Sequence, residues 1–263
     1  MRWISWLNGL RCPALTRRSF QTRRIRHRRF SAVEQLEIRT LLAVVSWDGG
    51  GGDFNWDNAL NWDTNGLPGA GDDVSIPDLP GNQIIVSQGN VSVNSLTSAE
   101  SISLRSGSIS LAGGSQIDAA LSMSNASLTG SGSVTVNGLT TLSRNSYLAG
   151  SGVLNANGGL IVDATAGWVS VDRSVLNITG TVTHTGGAFY AGLGAVINLL
   201  PGSVWDMQAG AFFLLNPGAR PTFNNQGTFI KSAGVPKSFS RREICRRERL
   251  VHFTSSRIGS PAV

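Results

Sequence analysis

The segment LTGSGSVTVNG at residues 128–138 recurs as LAGSGVLNANG at residues 148–158, twenty residues further along the chain. Six of the eleven positions are identical between the two copies. Each copy holds one short apolar cluster between its glycines. A strand this short cannot bury its apolar side chains alone, but a stack of such units buries them between neighbours. The repeat therefore predicts coil stacked on coil, with Leu128 and Leu148 at equivalent positions.

Looser versions of this pattern continue through residues 81–230. Apolar clusters alternate there with Gly or Asn turns, and no helical stripe survives for three turns. We predict an all-β fold, a right-handed parallel β-solenoid (β-helix) with strands of three to five residues. A coil of about twenty residues gives roughly seven coils. A two-sheet antiparallel β-sandwich is the alternative.

Charge divides the chain into three parts. Residues 1–44 carry ten Arg against two Glu, and residues 231–263 carry eight basic against two acidic residues. The body between them, residues 45–230, carries four basic against twelve acidic residues. An acidic body repels phosphate, so it is not predicted to bind nucleic acid. Both cysteines, Cys12 and Cys245, lie in the ends, and no apolar run is long enough for a transmembrane span.

Three tryptophans lie within sixteen residues near the start of the body, and the module extends over residues 45–80. Indole rings beside glycines suit a cap over the open end of a sheet stack. The alternative is a glycan-contact platform on which the same rings, Trp47, Trp56 and Trp62, stack against sugars. The Asp-Gly-Gly-Gly-Gly-Asp run at residues 48–53 has the wrong register for Gly-Asp calcium repeats, so a calcium site has only weak support and no metal site is predicted.

The module resembles the opening segment of autotransporter-like and haemagglutinin-like bacterial surface proteins, in which a Trp-x-Gly, Asn-Trp and Asp-x-Val-x-Ile pattern precedes β-solenoid repeats. The positions that carry this resemblance are Trp47, Asn61, Trp62, Pro68, Asp72, Val74 and Ile76. It implies that residues 45–80 form an N-terminal cap on the solenoid.

The leader, residues 1–44, ends in an Arg-Arg-Phe-x-x-x-Glu-x-Leu-Glu-x-Arg-x-Leu-Leu-Ala-Val run. This run resembles the N-terminal export motif of large extracellular proteins of planctomycete bacteria, although Ile38 stands where that family usually has Pro. The matching residues are Arg28, Arg29, Glu34, Leu36, Glu37, Arg39, Leu41 and Leu42. The resemblance implies an extracellular or cell-surface location. The alternative is a solvated basic amphipathic helix with no targeting role.

Catalytic candidates in the body are few. The acidic ones, at spacings that are not multiples of twenty, are Asp118, Asp163, Asp172 and Asp206. We therefore expect them not to stack on one coil face as the carboxylates of polysaccharide-cleaving β-helix enzymes do. His184 is the single histidine of the body, and a lone strand histidine is more often exposed or hydrogen-bonded than a catalytic base. We predict no enzyme activity and no cofactor.

The tail, residues 231–263, is rich in Arg, and its segment 236–249 has no glycine and no strand alternation. It is interpreted either as a basic interaction segment or as sequence read out of frame, and we expect it to be disordered. The last coil would then expose a strand edge, which predicts end-to-end self-association.

Together these patterns predict an exported, non-catalytic, surface or adhesin-like structural protein. Its expected partners are extracellular matrix, a cell surface or a polysaccharide. The alternative is a polysaccharide-binding or polysaccharide-cleaving β-helix protein.

Overall fold

The structure, a computed structural model, describes residues 44–81, 84–208, 210–233 and 252–255. All of them belong to one compact unit, Thr40–Val263. The regular secondary structure of the described residues is almost entirely β-strand, and every pairing between strands is parallel. One turn of 3-10 helix, Ala59–Asn61, interrupts them. No helix among these residues has the length and apolar character that a membrane crossing requires.

The strands form three faces, here called A, B and C. Face A is a ten-stranded sheet. Its strands are β1 (Val44–Ser46), β2 (Asp73–Ile76), β5 (Ser95–Ser98), β8 (Ser115–Ile117), β11 (Ser133–Val136), β13 (Val153–Ala156), β15 (Val175–Ile178), β17 (Val196–Leu199), β20 (Thr222–Asn225) and β22 (His252–Ser255).

Faces B and C are joined in one twelve-stranded sheet. Face B holds β3 (Ile84–Ser87), β6 (Ser101–Leu104), β9 (Leu121–Ser124), β18 (Val204–Met207) and β21 (Thr228–Lys231). Face C holds β4 (Asn90–Val93), β7 (Gly107–Leu111), β10 (Ala126–Gly130) and β19 (Ala211–Leu215). Three long strands run from face B into face C: β12 (Thr140–Ala149), β14 (Leu160–Asp172) and β16 (Thr181–Gly192).

The chain therefore winds as a parallel β-solenoid, and the sandwich alternative is excluded because no two solenoid strands pair as an antiparallel hairpin in the described residues. Seven coils carry strands on all three faces, and β20 and β21 begin an eighth. The seven coils span residues 73–93, 95–111, 115–130, 133–149, 153–172, 175–192 and 196–215.

The repeated segment behaves as predicted. Leu128 pairs in register with Leu148, and both side chains are buried. The repeated glycines mark corners where successive coils touch backbone to backbone. A Cβ on Gly152 would lie 2.6 Å from the carbonyl oxygen of Gly132 in the coil below, closer than any side chain tolerates. The corner spacing thus imposes glycine at equivalent positions in both copies.

Two features differ from the sequence-based expectation. The strands β12, β14 and β16 are 10 to 13 residues long, not three to five, because pairing continues around the corner between faces B and C. That corner is accommodated by register shifts, one of them beside Arg144, which has a positive φ of 54°. In addition, the first coil begins with β2, inside the range assigned to the tryptophan module.

A further difference lies in the tail. Four of its residues, His252–Ser255, form β22, which pairs in parallel with β20. The expectation of a tail without regular structure therefore does not hold for these four residues. The rest of the tail beyond residue 233 lies outside the described residues.

Candidate functional site

The tryptophan module forms a cap over the first coil. Its backbone joins face A where β1 pairs with β2, and face B where the Trp56 amide donates to the Val86 carbonyl at 2.8 Å. It also reaches the turn that leads to face C, where the Gln88 amide donates to the Asp57 carboxylate at 3.1 Å. The module thus contacts the edge of the first coil on two faces and at the approach to the third.

All three indole rings of the module are buried, and Trp62 has no exposed surface. The Trp62 ring lies edge-on to Trp47 and Trp56, at centroid distances of 5.1 and 4.7 Å. Its Nε1 donates to the Trp56 carbonyl at 2.9 Å. This burial is what the cap interpretation requires. It gives no support to a glycan platform at these rings, because stacking on a sugar needs an exposed ring face.

The Asp-Gly-rich run at residues 48–53 is held by amides of the same module. Asp53 accepts hydrogen bonds from the Asn55 backbone and from the side chains of Asn58 and Asn61, at 3.0, 3.1 and 2.7 Å. These bonds, that of the Asn55 backbone first, lower the pKa of Asp53 to about 2. Asn61, one of the residues of the surface-protein resemblance, is buried and also accepts from the Gly51 amide at 2.9 Å. The carboxylate therefore orders the loop.

The residues of the export motif, from Arg28 to Leu42, lie outside the described residues. Their assignment stays a prediction from the sequence.

The four acidic candidates are spread over the solenoid. Asp118 follows β8 on face A, Asp163 and Asp206 lie on face B, and Asp172 ends β14 on face C. Asp163 and Asp206 share a face although their sequence spacing argued against it, because these coils are longer than twenty residues. They are two coils apart and do not occupy the same register position. No group of three metal-ligating side chains occurs in the described ranges.

His184 points into the core. Its side chain has no exposed surface and lies edge-on to Phe189, Trp205 and Phe213. Its Nε2 is 3.2 Å from the Gly187 carbonyl oxygen, whereas Nδ1 has no partner within the described part of the chain. Burial lowers the pKa of His184 to about 4. A neutral, enclosed imidazole cannot reach a substrate at the surface.

Face A presents a ladder of asparagines on its outer side. Asn155, Asn177, Asn198 and Asn224 occupy one register position in four successive coils. Each side-chain amide donates to the side-chain oxygen of the asparagine one coil earlier, at 2.7, 2.6 and 2.8 Å, and Asn155 donates to Thr135 at 3.2 Å. The ladder fixes these side chains and makes a regular polar surface.

Face C carries a different outer surface, which sequence reasoning missed. Four aromatic residues, here called the aromatic strip, point outward from successive coils: Tyr147, Trp168, Tyr190 and Phe212. Trp168 is 38% exposed and Phe212 is 44% exposed. The sequence did contain a signal, because these residues are 21, 22 and 22 positions apart, close to one coil length.

Beside the strip lies a polar cluster centred on Asp172, which is only 5% exposed. The Tyr147 hydroxyl donates to Asp172 Oδ2 at 3.0 Å. Asn216 donates to Asp172 Oδ1 and Oδ2 at 3.0 and 2.9 Å and to the Ser170 hydroxyl at 2.9 Å. Burial raises the pKa of Tyr147, and the neighbouring Asp172 carboxylate raises it further. Tyr147 therefore keeps its proton and remains anchored by it.

Comparison with known proteins identified no relative. No family model matches the chain, and no curated protein or solved structure does so either. Inferences about function therefore rest on the fold and on two outer surfaces, the asparagine ladder of face A and the aromatic strip of face C.

Proposed function

We propose that this protein is an exported, non-catalytic structural protein of the surface or adhesin-like kind, which presents a rigid β-solenoid outside the cell. The observation that carries this proposal is the asparagine ladder on face A. Its hydrogen bonds connect Asn155 to Asn224 through four coils. A surface of short, mutually bonded side chains on a parallel sheet is suited to contact along its length.

The carboxylates favour a non-catalytic role. A general acid needs a raised pKa. The hydrogen bond from the Thr165 hydroxyl, at 2.6 Å, instead lowers the pKa of Asp163. The pKa of Asp73 is also lowered, first by the Ser95 hydroxyl and then by Asn94. Both groups stay ionised, and Asp73 links its coil to Ser95 at the start of the next one.

Export is supported by the leader, whose basic composition and leucine motif differ from the acidic body. The test compares the full chain with a chain that lacks residues 1–44, by cell fractionation and by thermal unfolding. We expect the shortened chain to fold with an unchanged melting temperature but to stay inside the cell. If it reaches the surface, or if it does not fold, the targeting role of the leader is wrong.

A matched pair of point variants separates the motif from simple charge. Replacing Leu41 and Leu42 by Asn removes the apolar end of the motif without changing the charge, and replacing Arg28 and Arg29 by Lys also keeps the charge. We expect the first pair to lose export and the second to retain most of it. Equal behaviour of the two pairs would favour the solvated amphipathic helix.

A further inference from the structure

The aromatic strip on face C has a regular order. Tyr147, Ser170, Tyr190 and Leu214 share one outward register position in coils four to seven. The neighbouring outward position holds Asn145, Trp168, Ala188 and Phe212 in the same four coils. Over coils four to six each of these two register positions alternates between an aromatic ring and a smaller side chain. Where one position holds a ring, the other holds a smaller side chain. The rings therefore form a staggered row along the solenoid.

The spacing of the row follows from the fold. Rings that share a register position are two coils apart, which is about 9.6 Å at the usual separation of paired strands. Rings in adjacent coils are closer and lie edge to face, as the 6.2 Å between the centroids of Tyr147 and Trp168 and the 76° between their planes show. The small side chain of Ala188 lies between the Trp168 and Phe212 positions. Two coils thus span roughly one disaccharide of an extended glycan.

The rings stand on paired strands, and that of Tyr147 is also held by a hydrogen bond. The Asp172 carboxylate fixes the hydroxyl of Tyr147, and Asn216 links Asp172 to Ser170. A ring held in place before binding loses little conformational freedom when a ligand stacks on it. Rigid aromatic rings beside hydroxyl and amide groups are the side chains that recognise a molecule with apolar C–H faces and a polar rim.

Charge decides the class of ligand. Two exposed arginines, Arg144 and Arg173, lie near the strip, and two carboxylates, Asp163 and Asp172, lie near them. The local balance is neutral, and the body as a whole is acidic. A polyanion would be repelled by the body, whereas an uncharged ligand would not.

We infer that the aromatic strip of face C is a binding site for an uncharged polysaccharide, whose chain lies along the solenoid with pyranose rings stacked on the exposed rings of Trp168 and Phe212 and bordered by the half-buried Tyr147 and Tyr190. This goes beyond the proposed structural role, because it assigns a ligand class and a face. The test uses purified full chain, so its outcome does not depend on where the protein resides in the cell.

Isothermal titration with cellohexaose, an uncharged β-linked hexasaccharide, measures the affinity. We expect Trp168→Ala and Phe212→Ala each to weaken binding by roughly tenfold or more, the effect of removing a central aromatic contact. Trp168→Phe should restore most of the affinity. Phe54→Ala removes an aromatic side chain of similar exposure in the cap, and should leave both binding and melting temperature unchanged.

Three results would overturn the inference. The first is absence of binding to cellohexaose and to mannohexaose by the native chain. The second is unchanged affinity in Trp168→Ala. The third is preference for polygalacturonate, an acidic glycan, over both uncharged ones, provided that Trp168→Ala abolishes it and so places it at the strip and not at the basic ends of the chain.

Discussion

Asn216 reaches across a whole coil to bind Asp172. Gly192 lies in register with Asp172 in the coil between them, and it has no side chain to block the path. A Cβ on Gly192 would overlap the Cβ of Asn216 and lie 3.0 Å from Asp172 Oδ1. The polar cluster under the aromatic strip therefore requires glycine at position 192, because any side chain there would collide with Asn216. The φ of Gly192 is not positive, so glycine is needed for space and not for backbone conformation.

Gly192→Ala should lower the free energy of unfolding by about 1–3 kcal/mol, the usual cost of forcing an extra carbon into packed structure. Denaturant unfolding measures this change. Gly114→Ala is the matched control, because a Cβ there meets nothing within 4 Å, and it should change stability by less than about 0.5 kcal/mol. Equal effects of the two substitutions would contradict the described path of Asn216.

Trp62→Ala should cost about 3–5 kcal/mol of unfolding free energy, since it empties the centre of the buried tryptophan cluster. Thermal or denaturant unfolding reports the loss. Leu60→Ala provides the control, because Leu60 belongs to the same module but is exposed. A Trp62→Ala chain as stable as the Leu60→Ala chain would show that the module is not a cap.

Acidification should destabilise the fold through His184. Its folded pKa of about 4 lies below the ordinary value of 6.5, so as pH falls below about 6.5 the unfolded chain binds a proton that the folded chain excludes. The stability present near neutral pH is therefore lost as pH falls towards 4. Between pH 7 and 5 this contribution amounts to about 2 kcal/mol.

The measurement is unfolding free energy at several pH values for the native chain and for His184→Leu. We expect a clearly shallower decline between pH 7 and 5 in the variant, whatever its absolute stability. The same slope in both chains would mean that the imidazole is not the group responsible.

The strand edges at the C-terminal end of the solenoid should promote association. Within the described ranges β21 pairs on one side only, with β18. Its residue Ile230 points outward and occupies the same register position as Ile161 of β14, three coils earlier. Size-exclusion chromatography of the native chain should show oligomers that Ile230→Lys reduces, because charge on an edge strand opposes pairing. Ile161→Lys, on the same face but inside the stack, should leave them unchanged. A strictly monomeric native chain would contradict this prediction.

Much of the fold follows from the sequence because one physical requirement repeats. Leu128 and Leu148 must be buried by stacking, and the glycines beside them must clear the coil below. The length of the long strands was not predicted. Strand β12 turns a corner without ending because Arg144 adopts a positive φ, and nothing in the local sequence predicts that conformation for an arginine.

The outer surfaces were harder to predict. Burial of Trp62 follows from its neighbours, but the outward direction of Trp168 depends on strand parity after a register shift between Ala164 and Trp168. A shift of one residue there would turn the ring inward. The outward direction of the strip's rings therefore depends on both the coil length and the position of the register shift. The sequence spacing of the aromatic residues indicates the coil length but not the position of the shift.

The central claim, that a folded solenoid is displayed outside the cell, is tested most directly by thiol labelling of intact cells. In a chain with Cys12→Ser and Cys245→Ser, a single cysteine is placed at exposed Asn157 or at buried Leu154, and a membrane-impermeant maleimide is added. We predict rapid labelling of Asn157→Cys on intact cells, and labelling of Leu154→Cys only after denaturation. Labelling of Asn157→Cys only after cell lysis, or equal labelling of both positions on intact cells, would contradict the account.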